Sequence, residues 1–128
     1  MQKDIVPSYH CKVMEVISGD DLIVLVDLNI DDLFKRVRAR LRGVDTPSAY
    51  KENSDTTGGK VRADVHKLTK NKQCRIDVHS QGRGGWVVTM FVIQSDGTEV
   101  QLNAALREQG FVYQQPRQES RNGDQKTA

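Results

Sequence analysis

An alternation of charged and apolar residues at positions 35–42 constrains the fold more than any other part of the sequence. Successive side chains of a β-strand point to opposite faces, so this segment separates its arginines from its apolar residues. The apolar face would hold Val37, Ala39 and Leu41, and the charged face Arg36, Arg38, Arg40 and Arg42. Like charges at every second residue repel one another, so such a face suits an anion that runs along it. The sequence therefore predicts a strand that is half core and half phosphate-binding surface.

Carboxylates are placed at the end of this strand and at the start of the strand before it. Asp45 follows the arginines in a turn that Pro47 restricts, and Asp20 lies in a turn before the apolar run 22–26. Consecutive antiparallel strands bring these two ends together. Hard cations such as Ca²⁺ prefer oxygen ligands, which two carboxylates, the Thr46 carbonyl, phosphate and water can supply. We therefore predict a Ca²⁺ site at Asp20, Asp45 and Thr46.

The order of predicted elements indicates the fold class. Strands are predicted at 10–17, 22–26, 35–42, 74–78 and 86–93. Val61, Val65 and Leu68 recur at helical spacing, with Ala63 in support, and predict a helix to about residue 70. A second helix follows the last strand and is ended by Gly110. This order predicts a mainly β, α+β fold: a five-stranded OB-type barrel with one helix between strands 3 and 4 and another after strand 5.

Length and composition indicate one domain without a membrane segment. The chain of 128 residues has a formal charge of +2, which neither requires nor excludes a nucleic-acid partner. We expect a polar lead at 1–9, the domain at 10–113 and a disordered polar tail at 114–128. We also expect a monomer with no membrane partner. The absence of a signal-peptide pattern favours the cytoplasm for the chain as given, and removal of a leader would instead indicate a periplasmic or secreted protein.

Histidine and cysteine spacing does not indicate a zinc or nucleophile site. The histidines, at positions 10, 66 and 79, show no metal-ligand spacing, and we expect structural or surface roles for them. The two cysteines, Cys11 and Cys74, are too few for a disulfide framework, and the default interpretation is two reduced core residues.

Four segments of the chain form a combination typical of one known family. They are Gly19 with Asp20, the run Arg-Leu-Arg-Gly-Val-Asp-Thr-Pro at 40–47, Asp96 with Gly97, and the run Leu-Asn-Ala-Ala-Leu-Arg-Glu-Gln-Gly at 102–110. Together they resemble the staphylococcal (thermonuclease-type) nuclease family over residues 11–113, and Arg-x-x-x-x-Asp-Thr-Pro is the most specific part. The resemblance implies a calcium-dependent phosphodiesterase on an OB barrel that cuts DNA and RNA with little sequence preference.

The resemblance also implies roles for individual residues. Asp20 and Asp45 correspond to the metal-binding carboxylates of the family, and Thr46 to the residue whose carbonyl completes the metal shell. Arg40 corresponds to the arginine on the scissile phosphate, where a guanidinium can pair with two phosphate oxygens. We expect the remaining contacts to the nucleic acid, preferably single-stranded, from Arg36, Arg38, Arg42 and Tyr113.

Two positions depart from the family pattern. The family's general base is a glutamate directly after Asp-Thr-Pro, where this chain has Ser48. Glu52, further along the same loop, and a water whose pKa the cation lowers are alternative sources of the base. The family's second arginine corresponds to Val88 if no gap is assumed, and to Arg83 if the strand contains an insertion.

Three functions remain open at this level. The first is a calcium-dependent nuclease, attenuated by Ser48. The second is an inactive OB-fold module that binds single-stranded nucleic acid and loses affinity steeply as salt increases. The third, which the sequence favours least, is a domain that binds an acidic protein. The family's barrel pairs its first and fourth strands, so the resemblance also raises the hypothesis of a Cys11–Cys74 disulfide, which would favour an oxidising compartment.

Overall fold

The structure, a computed structural model, describes residues 6–47 and 57–113. Six strands and two helices are present in these ranges. In chain order they are β1 (Ser8–Ser18), β2 (Asp21–Asp27), β3 (Phe34–Leu41), α1 (Thr57–Thr69), β4 (Gln73–Gly82), β5 (Gly85–Ile93), β6 (Glu99–Gln101) and α2 (Leu102–Glu108). Neither helix combines the length and apolar character that would let it cross a membrane, as far as the described residues show.

The sheet closes into a barrel because its two outer long strands pair with each other. β1 lies between β2 and β4, β3 pairs with β2, and β5 pairs with β4, all antiparallel. β3 and β5 then pair in parallel, with Arg40 opposite Val87. The predicted five-stranded OB-type barrel is confirmed, including a helix between its third and fourth strands. The short β6, which extends β5 before α2, is an additional strand.

The predicted alternation in β3 is confirmed by its burial pattern. Val37, Ala39 and Leu41 are buried, and the arginines between them are exposed. The buried residues pack with the inner faces of the other strands, where Leu22, Ile76 and Met90 have no exposed surface. The apolar face of β3 therefore fixes which way the arginines point, since a slip of one residue would bury a guanidinium.

Helix α1 starts earlier than predicted and ends at Thr69, close to the predicted end at about residue 70. It begins at Thr57, before the predicted start at Val61, and its buried stripe consists of Val61, Val65 and Thr69. The prediction that Leu68 belongs to this stripe is wrong, because positions four apart lie closest on one helix face and leave Leu68 on the shoulder, exposed. The hydroxyl of Thr69 donates to the Val65 carbonyl at 2.8 Å, so a buried polar group is satisfied there.

The end of the predicted polar lead takes part in the barrel. β1 begins at Ser8, inside the predicted polar lead, and the N–H of Val78 donates to the carbonyl of Pro7 at 2.8 Å. The end of the lead therefore pairs with β4 and is part of the barrel. The predicted tail at 114–128, the first five residues and the loop at 48–56 lie outside the described residues.

The two cysteines lie directly opposite each other on β1 and β4. Cys11 and Cys74 are Cα partners in the antiparallel register, both are buried, and both are free thiols. Burial, with a smaller contribution from Cys74, raises the pKa of Cys11 to about 12. Burial raises the pKa of Cys74 to about 11. The thiols are therefore protonated and slow to react near neutral pH.

We expect these two protons to make the fold less stable in alkaline solution. Unfolded thiols lose their protons near pH 9.0, whereas the folded thiols keep theirs to about 11 and about 12. The unfolded state therefore binds fewer protons between these values, and the free energy of unfolding falls as pH rises, by at most about 1.4 kcal/mol per pH unit for each thiol. Urea unfolding at about pH 8 and about pH 10 measures this loss. A Cys11→Ala, Cys74→Ala variant should lack this component, and an equal loss in both proteins would contradict the assignment.

Candidate functional site

A cavity of about 290 Å³ lies where β2 begins and β3 ends. Residues from the turn before β2, from β3 and the segment after it, and from β5 line it. The predicted site residues in its lining are Asp20, Arg40, Arg42, Asp45 and Tyr113. The structure therefore brings together the two predicted metal carboxylates, the predicted phosphate-binding arginine and the predicted stacking tyrosine.

Asp20 lines this cavity and is held there by hydrogen bonds to its backbone carbonyl and to its side chain. Its backbone carbonyl accepts from the N–H of Leu41 at 2.9 Å, which ties the turn to β3. Its Oδ1 accepts from Ser18 Oγ at 2.9 Å and from Thr46 Oγ1 at 3.1 Å. Asp20 is only 8% exposed, and no donor in the described part of the chain reaches its Oδ2. A buried carboxylate oxygen is unfavourable unless another group binds it, so Oδ2 could serve as a cation ligand.

Gly19 makes this arrangement possible because it has no side chain. A Cβ at this position would lie 2.5 Å from Val61 Cγ1 and 2.8 Å from Thr46 Cγ2. Both distances are shorter than van der Waals contact, so helix α1 and Thr46 can approach the Asp20 turn only at a glycine. The sequence identified Gly19 as a turn residue, but the close approach of α1 depends on tertiary structure.

The segment after β3 is paired with the end of the described chain. The N–H of Asp45 donates to the Phe111 carbonyl at 3.2 Å, and the N–H of Tyr113 donates to the Gly43 carbonyl at 3.1 Å. Gly43 has a φ of +76°, in the left-handed region that glycine adopts without strain. This pairing places the exposed Asp45 and the half-exposed ring of Tyr113 at the rim of the same cavity. Tyr113 is therefore presented as a surface on which a base could stack.

The ligands available at this rim fit a hard cation. Neither carboxylate oxygen of Asp45 has a hydrogen bond or ion pair with another described residue. Together with Asp20 Oδ2 they form an oxygen-only set, which suits Ca²⁺ or Mg²⁺ and not zinc. Within residues 6–47 and 57–113, no three His, Cys, Asp or Glu side chains are grouped as a complete metal site. The Thr46 carbonyl, phosphate and water would therefore complete the shell.

The guanidinium groups of the three arginines in β3 differ in the residues that they contact. Arg38 forms two hydrogen bonds with Asp21, at 3.0 Å from Nε to Oδ1 and 2.5 Å from Nη2 to Oδ2, and this pairing raises the pKa of Arg38. Arg36 lies 3.9 Å from Glu15, and both side chains are largely exposed. The Arg40 guanidinium has no hydrogen bond or ion pair with a described residue, although the backbone of Arg40 pairs within the sheet. Of these three, Arg40 is therefore the arginine whose guanidinium is most available to a phosphate in the cavity.

Arg42, which follows β3, is oriented by a histidine. Its Nη1 lies 3.0 Å from His79 Nδ1, and His79 Nε2 lies 2.8 Å from Thr89 Oγ1. Burial and then the charge of Arg42 lower the pKa of His79, so the imidazole is neutral near neutral pH. Because Arg42 can only donate, Nδ1 accepts, and Nε2 carries the proton that Thr89 receives. His79 is the extra residue of a β-bulge between Val78 and Ser80, a device that re-aims a side chain.

The two candidate positions for a second arginine both lie away from the cavity. Arg83 is exposed in the tight turn between β4 and β5 and is not part of the cavity lining. Val88 has no exposed surface and belongs to the core. Val87, opposite Arg40 on β5, faces the cavity instead. The β5 wall is therefore apolar. Ser48 and Glu52, the positions that concern the general base, lie outside the described residues.

Asn103 is a structural residue of the site that the sequence did not single out. It is 1% exposed on α2, and its Oδ1 accepts from the N–H of Met90 at 2.8 Å. Its Nδ2 donates to the carbonyls of Arg42 and Val88, at 2.9 and 3.1 Å. The side chain therefore joins α2, β5 and the segment that leads to Asp45. An asparagine between apolar residues of a helix was the available signal, but its partners are far away in sequence.

Comparisons with known proteins add no assignment to this site. No model of a protein family matches the chain, and no curated protein matches it at a significant level. The functional inference therefore depends on which side chains share the cavity and on how each is held.

Proposed function

We propose that this protein is a calcium-dependent nuclease of the thermonuclease type, which hydrolyses phosphodiester bonds of DNA and RNA. One observation supports this proposal most strongly. Arg40, unpaired among the described residues, shares a cavity with the carboxylates of Asp20 and Asp45. Two carboxylates that could hold a cation beside an available guanidinium are an arrangement that can stabilise the charge developed in phosphoryl transfer.

The residues of the cavity would have different roles, some in binding the substrate and some in stabilising charge. Arg40 would donate two hydrogen bonds to the non-bridging oxygens of the scissile phosphate and stabilise the charge that grows on them during attack. Asp20, Asp45 and the Thr46 carbonyl would hold Ca²⁺, which neutralises phosphate charge and makes a water more acidic when bound. Tyr113 at the rim would stack on an unpaired base, which favours single-stranded substrates. Phosphate contacts and stacking discriminate little between bases, so we expect weak sequence preference.

The proton acceptor distinguishes this chain from an efficient enzyme of that type. Ser48 has no basic group near neutral pH, so it cannot remove a proton from water by itself. Glu52 lies on the same loop and is the alternative carboxylate. We therefore propose a turnover lower than a glutamate next to Pro47 would give, since general base catalysis typically contributes about 10²- to 10⁴-fold.

A binding module without cleavage is the second candidate, and the arginine face supports it. Arg36, Arg38 and Arg42 are exposed beside Arg40, and each could contact phosphate whether or not a base is present. Such a module would bind single-stranded nucleic acid, and its affinity would fall as the salt concentration rises, because its phosphate contacts release counterions.

Calcium dependence separates the two candidates. Denatured DNA and RNA are incubated with the protein in Ca²⁺ or in EDTA, alongside Asp45→Ala. We expect cleavage in Ca²⁺ and a loss of at least about tenfold in EDTA and in the variant, because each removes the charge that offsets the phosphate. A Lys67→Ala variant, which removes an exposed charge on α1, is the control.

The outcomes are distinct. Retained, salt-sensitive binding without any cleavage would replace the nuclease by the binding module. Cleavage that EDTA leaves unchanged would contradict the calcium site. A Glu52→Gln variant tested in parallel identifies the base, since an unchanged rate would dismiss Glu52.

A further inference from the structure

A second, larger groove lies beside the cavity and shares part of its wall. It has a volume of about 560 Å³ and shares two lining residues, Arg42 and Val87, with the cavity. His79 and Ser80 on β4, and Pro7 before β1, form other parts of its wall. A nucleic-acid strand that extends from the cavity into this groove would therefore contact Arg42 and Val87.

The guanidinium of Arg42 is oriented by His79 and forms no ion pair with a carboxylate in the ranges 6–47 and 57–113. Asp21 compensates the charge of Arg38, and the exposed Arg36 lies 3.9 Å from the exposed Glu15. Arg42 instead donates one hydrogen bond to the neutral imidazole of His79. A guanidinium has five N–H donors, so the others remain directed away from His79.

The side chain of His79 is itself held in place, by its position in a β-bulge and by a hydrogen bond to Thr89. Its bulge position turns it toward Arg42, and Thr89 holds its second nitrogen at 2.8 Å. The result is a guanidinium held in one place in the shared wall of two depressions. Such preorganisation lowers the entropy lost when an anion binds.

We propose that Arg42 and this groove form a second subsite, which binds the adjacent phosphate and its sugar when a single strand occupies the cavity. The proposal rests on the proposed function insofar as the ligand is a polynucleotide. Arg42 binds the phosphate, His79 acts as its positioning residue, and the apolar side chain of Val87 packs against the sugar between the two subsites. The preferred ligand is therefore a chain of linked nucleotides and not a single nucleotide.

The test compares ligands of two lengths. Binding of a fluorescent phosphorothioate oligothymidylate of about eight nucleotides, which resists cleavage, and of thymidine 5′-monophosphate as a competitor is measured in Ca²⁺. Arg42→Ala should weaken binding of the octamer about tenfold and change binding of the monophosphate less than about twofold, since one charged hydrogen-bonding contact is lost. The slope of log affinity against log salt should decrease by about 0.7. Lys67→Ala, an exposed charge on α1 outside both depressions, controls for net charge.

His79 variants test its positioning role. His79→Ala should weaken octamer binding by a smaller factor than Arg42→Ala, because the charge remains but loses its fixed orientation. His79→Gln, whose amide oxygen can accept the same hydrogen bond, should recover most of the affinity. Failure of the glutamine variant to recover binding would overturn the positioning role.

The remaining outcomes separate this proposal from the proposed function. If the unaltered protein binds the octamer but Arg42→Ala behaves like Lys67→Ala, the subsite is wrong and nucleic-acid binding stands. Equal loss of octamer and monophosphate would assign Arg42 to the first cavity and overturn the subsite. If the unaltered protein binds neither ligand, the nucleic-acid function itself fails.

Discussion

Replacing Arg40 by lysine is expected to reduce calcium-dependent cleavage of single-stranded DNA by about a hundredfold or more while the protein stays folded. Removal of one donor that stabilises transition-state charge typically costs about 10²- to 10³-fold in rate. Lysine keeps the positive charge but presents it as a single point, so it cannot hold two phosphate oxygens in a fixed plane as a guanidinium does. The loss therefore measures geometry and not charge alone.

Rates under single-turnover conditions and the midpoint of thermal unfolding together check this expectation. Because the Arg40 side chain is exposed and its guanidinium makes no hydrogen bond or ion pair with a described residue, the midpoint should hardly move. Arg83→Lys is a useful companion, since Arg83 lies in the β4–β5 turn and outside the cavity lining. We expect its rate to change less than about threefold. A large effect of Arg83 with a small effect of Arg40 would reverse the two assignments.

The sequence predicted the parts of this site that depend on local patterns. The period of two in β3 placed Arg40 opposite to the buried Ala39 and Leu41, because only one register keeps the core face apolar. Turn chemistry placed Asp20 and Asp45 at strand ends that an antiparallel pair brings together. These inferences needed no knowledge of distant contacts.

The parts that the sequence did not reveal depend on which residues meet across the fold. Whether Arg38 is available or engaged by Asp21 depends on the β2–β3 register. His79 reaches Arg42 because a bulge in β4 changes its direction, and a bulge has no distinctive sequence signal here. Val87 and not Val88 faces the cavity, although a one-residue shift is enough to exchange their faces. Such details require the pairing of strands to be known.

Substitution of Asn103 by alanine is expected to lower the free energy of unfolding by about 2 to 4 kcal/mol. The side chain is buried and satisfies the N–H of Met90, for which no other partner is present among the described residues. A buried donor that loses its acceptor costs about 1–3 kcal/mol, and the cavity left by the amide adds to this. The carbonyl of Val88 keeps a second donor, the N–H of Arg42 at 2.8 Å. Loss of the Asn103 donor therefore costs less free energy at this carbonyl than loss of the acceptor costs at the Met90 N–H.

The same substitution is expected to weaken Ca²⁺ binding, because Asn103 donates a hydrogen bond to the segment that carries Asp45. Its amide is 2.9 Å from the Arg42 carbonyl, just before the turn that carries Asp45. Without this bond the segment 42–45 is held mainly by its pairing with 111–113, so Ca²⁺ affinity should fall even under conditions where the variant is fully folded. Urea unfolding and calcium titration measure the two effects separately, with Gln109→Ala as an exposed amide control. A loss below about 1 kcal/mol would show that water or rearranged backbone replaces the three hydrogen bonds, and that Asn103 does not anchor the Asp45 segment.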